Sequence, residues 1–116
     1  IENLGDGNYK THKLPNRAQT SSINKFHIFD YNGDKYPDVL LAGNLYQSEV
    51  ETPRNDASIG LILIGNAKGY TIVNPTESNL FLDGDIRDLS TIKLHNQEKA
   101  FIVAKNNEKL LLIRQN

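Results

Sequence analysis

Asp30, Asn32, Asp34 and Asp38 fall within nine residues of the stretch FDYNGDKYPDVLLAGN (Phe29–Asn44), directly before an apolar run. Three carboxylates so close repel one another unless they splay into water around a turn or share a cation. Counting Asp30 as position 1, side-chain oxygens stand at positions 1, 3, 5 and 9, and Tyr36 at position 7 can offer its backbone carbonyl. Hard oxygen ligands at alternate residues of a tight loop suit Ca²⁺, which takes about six to eight oxygens, better than Mg²⁺, which keeps its waters. An EF-hand would need Gly at position 6 and Glu at position 12. Lys35 and Leu41 stand there, and strand-like runs flank the loop. The competing reading is an Asn32-Gly33 hairpin turn carrying turn aspartates; it accounts poorly for a third aspartate leading into a buried strand. The expected ligands of a structural Ca²⁺ are Asp30, Asn32, Asp34 and Asp38, with Tyr36 through its carbonyl.

The segments that must position this loop read as strands. INKFHIF, DVLLAGN, IGLILIGN, YTIVNP, STIKL, KAFIVAKNN and KLLLIRQ are short runs bounded by Gly, Asn, Asp or Pro, the signature of strands and turns. No segment keeps a helical stripe over three turns, and Pro15, Pro37, Pro53 and Pro75 interrupt the chain. The expectation is an all-β chain of roughly seven to nine antiparallel strands. LGDGNYK (Leu4–Lys10) carries Asp-Gly between two runs, a type I′ hairpin signal, and IGNAKGYT (Ile64–Thr71) is a longer loop of the same design.

That likeness points to an internal repeat. Tyr9 matches Tyr70 at an offset of 61, VLLAGN (Val39–Asn44) matches FIVAKN (Phe101–Asn106) at 62, and SINKFHI aligns loosely with DIRDLST at 63. In the second copy the counterpart of the acidic loop, KLHNQEKA (Lys93–Ala100), has Ile92, Leu94, Asn96 and Ala100 at the ligand positions and is not expected to bind calcium. LDGDIRD (Leu82–Asp88) is expected to be a loop entering the second unit. The polar segment LYQSEVETPRNDASIG (Leu45–Gly60) is longer than a hairpin needs; it is a solvated insertion or a recognition loop on the β scaffold.

The acidic stretch resembles the calcium loop of FG-GAP/VCBS repeats, the blades of β-propellers that include the integrin α-subunit head. The family pattern D-x-[DN]-x-[DN]-G-x-x-D is matched at Asp30, Asn32, Asp34 and Asp38, while Lys35 stands where the family usually has glycine. LGDGNY and IGNAKGY resemble the family's GDGxF hairpin. The resemblance implies antiparallel strands forming about two propeller-type blades, part of a larger β-propeller. Residues 1–14 would be the outer hairpin of a preceding blade, 21–75 a complete blade with the calcium loop and the insertion 45–60, and 85–116 a partial blade. A closed propeller needs at least about four blades, so the chain is expected to be the C-terminal piece of a larger protein, completed by the rest of the propeller or by self-association. The absence of methionine, even at position 1, agrees with a start inside a longer gene product.

Composition narrows the function. With 23% charged residues, 38% hydrophobic residues and a net charge of −1, the chain has the balance of a soluble globular protein and gives no sign of nucleic acid as partner. No apolar run reaches the ~18 residues of a membrane span. The lack of cysteine rules out disulfides and thiolate chemistry. No serine lies in a G-x-S-x-G context, the histidines His12, His27 and His95 lack zinc-ligand spacing, and no catalytic residue is assigned. His27 is expected to be a strand-face residue. The expected function is a non-catalytic, calcium-stabilised scaffold for protein or glycan binding, extracellular, periplasmic or at the cell surface, where calcium is roughly millimolar and open sites of modest affinity fill. The alternative is a domain of, or module appended to, an extracellular enzyme whose active site lies in other blades.

Overall fold

In the computed structural model, which describes residues 1–114, the short apolar runs pair with their neighbours in sequence. β1 (Glu2–Gly5) and β2 (Asn8–Lys10) form a hairpin; β3 (Ile23–Phe29), β4 (Asp38–Gly43), β5 (Leu61–Asn66) and β6 (Gly69–Ile72) form a four-stranded meander; β7 (Ile86–Lys93), β8 (Lys99–Lys105) and β9 (Leu111–Arg114) form a three-stranded one. Every pairing is antiparallel, and none of the three sheets closes on itself. The chain is all-β as its periodicity predicts; among the described residues the helical elements are a 3-10 turn at Asn16–Gln19 and one helical turn, α1 (Pro75–Ser78). No helix among the described residues is long and apolar enough to cross a membrane. The β1–β2 turn has Asp6 at φ 50° and Gly7 at φ 76°, the positive pair that a type I′ turn requires.

The two larger sheets have the same internal register. Phe26 pairs with Leu41, His27 with Leu40 and Ile28 with Val39; Leu89 pairs with Val103, Ser90 with Ile102 and Thr91 with Phe101. First-strand positions are offset by 63 and second-strand positions by 62 throughout. Both sheets carry an irregularity at the same place, between Ile23 and Lys25 and between Ile86 and Asp88. Both are also closed by the same backbone bond: Asn44 N–H to the Ser22 carbonyl and Asn106 N–H to the Asp85 carbonyl, each 2.8 Å.

Because strand side chains alternate between faces, each sheet offers one apolar face to the other. Leu40, Ala42 and Ile62 of the first pack with Ile86, Leu89, Phe101 and Val103 of the second around the fully buried Leu82. His27 and Phe29 meet Phe101 edge-on at centroid distances of 5.0 and 5.6 Å. His27 also exchanges a hydrogen bond with Thr91 Oγ1 at 2.8 Å, as befits a strand-face residue. On the opposite face of the first sheet, Leu41, Leu61 and Leu63 pack beneath Ala18, a contact that strand periodicity does not predict for the segment before Ser21.

One boundary is corrected. LDGDIRD is not wholly a loop: β7 begins at Ile86, so Arg87 and Asp88 are strand residues, because Ile86 is completely buried between the sheets. Residues 115–116 of the expected C-terminal unit lie outside the described residues.

Candidate metal loop and its supporting network

The chain leaves β3 at Phe29 and re-enters the sheet at Asp38; the intervening loop is built on its own acidic side chains. Asp30 accepts the Gly33 and Lys35 N–H groups at 2.7 and 3.0 Å. Asn32 Oδ1 accepts Asp34 N–H at 3.1 Å and Asn32 Nδ2 donates to Asp34 Oδ2 at 2.9 Å. Asp34 Oδ1 takes the Tyr36 N–H at 2.8 Å. Such side-chain turns let Asp and Asn replace a missing strand ladder. Gly33 at φ 81° and Lys35 at φ 69° supply the left-handed steps.

For Lys35 this conformation costs about 1–2 kcal/mol relative to a right-handed one, set against about 0.5–1 kcal/mol of extra chain entropy lost by glycine. Lys35→Gly is therefore expected to be neutral or to stabilise the fold by up to about 1 kcal/mol, read from urea midpoints in the presence of chelator. A loss beyond about 1 kcal/mol would show that the Lys35 side chain holds the loop.

Asp38 differs from its neighbours. It is completely buried, with Oδ2 accepting Tyr31 N–H at 2.7 Å and Oδ1 accepting Gly65 N–H at 2.8 Å. One carboxylate thus closes the loop at its base and ties β4 to β5. Gly65 must be glycine here, since a Cβ would stand 2.3 Å from the Pro37 carbonyl oxygen. Asp30, Asn32, Asp34 and Tyr36 are exposed around this anchor.

The loop's side-chain donors are oxygens, the ligand type calcium takes, and each carboxylate oxygen accepts one hydrogen bond and keeps a second lone pair, but Asp30, Asp34 and Asp38 do not converge on one point. Among the described residues, no three His, Asp or Glu side chains are gathered into a group able to hold a metal. The hairpin that replaces this loop in the second sheet is tight, with Leu94 N–H on the Glu98 carbonyl at 2.8 Å and Gln97 N–H on the Leu94 carbonyl at 3.0 Å. It has no acidic base.

Asn44, just past β4, was not singled out from the sequence. It is 1% exposed at φ 83° and joins three segments. Its Nδ2 donates to the Ser58 and Gly84 carbonyls at 2.8 and 3.1 Å. Its Oδ1 accepts Ser58 N–H and Ser21 Oγ–H at 2.9 and 2.7 Å. The signal available was the recurrence of Asn at the end of the second strand, at 44 and again at 106.

The insertion 45–60 is tied down at its neck. Leu45 and Asn55 exchange backbone bonds at 2.8 and 3.0 Å, and the Asn55 side-chain amide shares the single Ser21 hydroxyl proton with Asn44. Arg54 lies 4.1 Å over the Tyr46 ring and pairs with Asp56. Glu49, Val50 and Glu51 project from this frame into solvent. On the other side, a cleft of about 420 Å³ opens between the sheets, walled by Phe29, Tyr31, Leu40, Ile62 and Phe101.

Two charged groups fix the edges. Lys25 pairs with Asp88 at 3.0 Å across the first strands of the two sheets. The hydrogen bond from Lys25, then that from Leu89 N–H, holds the Asp88 carboxyl below its usual range. At Lys105 partial burial pushes the ammonium pKa down, but its pairing with Asp83 and Glu108 outweighs this and leaves it raised.

The site and the sheets together define an antiparallel all-β protein with an aspartate-built loop between the first two strands of its four-stranded sheet. Comparison with family models, with curated proteins and with solved structures finds no match to this chain.

Proposed function

We propose that this chain is a piece of a calcium-stabilised, non-catalytic β-propeller scaffold of the FG-GAP/VCBS type, with the two meanders as neighbouring blades. The observation that carries this reading is the identical register, irregularity and closing bond of the two sheets, stacked first strand beside first strand. Radially repeated sheets in a propeller require such an arrangement. Asp30, Asn32, Asp34, Asp38 and the Tyr36 carbonyl would hold the ion, with Asp38 buried beneath the other four. The ion supplies positive charge that offsets carboxylate repulsion and stiffens the β3–β4 connection. A protein or glycan ligand at the cell exterior would then meet a fixed surface, with the anchored 45–60 loop as its most projecting part.

Thermal unfolding with chelator, then with graded calcium or magnesium, tests the reading. At 100 times its dissociation constant calcium is expected to add about 2.7 kcal/mol, a rise in Tm of roughly 10 °C for a domain of this size. Asp34→Ala, an exposed change, should abolish the rise while costing less than about 1 kcal/mol in chelator. Lys35→Gly, which removes a cation beside the carboxylates, should bind calcium several-fold more tightly. A folded chain with no shift well above the roughly millimolar calcium of extracellular sites would reduce the loop to a self-bonded turn.

A further inference from the structure

Equivalent positions in the two sheets differ sharply in exposure. Leu89, on the face of β7 that meets the first sheet, is 6% exposed; Phe26, its counterpart on β3, is 62% exposed. Leu40 and its cross-strand partner Ile62 are 1% and 6% exposed. Their counterparts Ile102 and Leu112, paired in the same way, are half-buried and 45% exposed. The two outward faces are therefore copies of the two faces that pack on each other within the chain. On the rear face of the first sheet Ala18 covers Leu41, Leu61 and Leu63. The uncovered part lies along β3, at Phe26 and Ile28, and β3 is also the strand through which the sheets meet within the chain.

We infer that copies of this chain associate head to tail, the β7–β9 face of one seating on the β3 side of the next and repeating the contact made inside each copy. The inference rests on reading the sheets as blades. Charge selects a second copy as the occupant. Position 25 of the first sheet and position 88 of the second are equivalent, and they carry Lys and Asp, already paired at 3.0 Å. Stacking a second copy brings Asp88 beside the next copy's Lys25, so at this position opposite charges alternate along the stack. Within each copy Asn24 Nδ2 and Asn44 Nδ2 cross from the first sheet to the Ile86 and Gly84 carbonyls, whereas their counterparts Arg87 and Asn106 both donate to their own sheet's Asp85. A heterologous contact of this kind closes a ring when its rotation allows, and the roughly four to eight blades of a propeller correspond to about two to four copies.

The test is sedimentation equilibrium of the whole chain in calcium, over a range of concentrations, with Phe26→Glu and Leu112→Glu. Both sites are exposed in the single chain, so both variants should fold. The expected result is a wild-type mass of about two to four chains, monomers for either variant alone, and a one-to-one dimer when the variants are mixed, since one intact face of each remains. A folded wild-type monomer would overturn the inference and assign these faces to sheets of another chain. So would association that survives in one variant alone, the mark of a symmetric contact, or a mixture that stays monomeric. A monomer whose Tm still rises with calcium would leave the proposed function standing.

Discussion

Asn44→Ala is expected to destabilise the fold by about 3–4 kcal/mol, because a buried donor or acceptor left without a partner costs about 1–3 kcal/mol. The Asn44 side chain satisfies Ser58 N–H and the Ser58 and Gly84 carbonyls and is itself 1% exposed. Alanine at φ 83° adds the strain of a left-handed residue, about 1 kcal/mol. Asn44→Gly removes that strain but not the lost bonds, so it should fall between wild type and alanine. Asn44→Asp should be nearly as damaging as alanine, since a carboxylate cannot donate to two carbonyls. Urea midpoints of the three variants measure this directly. A loss under about 1 kcal/mol for alanine, typical of a surface change, would mean that the joint between the insertion, the first sheet and the approach to β7 is held elsewhere. Limited proteolysis of the same variants should show cleavage within the 45–60 segment rising, as Ser58 loses both of its bonds to Asn44.

Asp38→Ala is expected to cost at least about 3 kcal/mol, and to do so in chelator as well as in calcium, because the Tyr31 and Gly65 N–H groups lose the buried carboxylate that accepts them. Asp38→Asn should recover part of this, as its one oxygen can satisfy either Tyr31 or Gly65 while its amide faces the other donor. The contrast with Asp34→Ala separates two jobs within one motif. Asp34 is exposed and bonds only within its loop, so its loss should be felt in the calcium response. Asp38 is the base on which the loop stands, and its loss should be felt regardless of metal. Equal and small effects of the two substitutions in chelator would contradict the buried anchor.

This division explains why aspartate stands at the ninth position of the loop. The sequence showed an acid out of keeping with a plain hairpin, and the metal reading gave it a ligand's role. The fold adds a second role, because the first residue of β4 is drawn beneath the loop and against β5. Spacing along a chain does not reveal that burial; it follows from Gly65 and Pro37 approaching until no Cβ fits between them.

What the sequence determined by itself is local. Alternation and short apolar runs set the strands, Asp6-Gly7 set its turn through positive φ, and the near-constant offset between matching segments agrees with the common register of the two larger sheets, because each is a property of residues close in order along the chain. What the tertiary structure decided is which atoms lost water. Asn44 reads in sequence like any polar residue ending a strand, Asp85 like any loop acid and Phe26 like any strand aromatic. The first two are buried and the third is exposed because of where a second sheet lies, and burial turns an ordinary side chain into a costly or a valuable one.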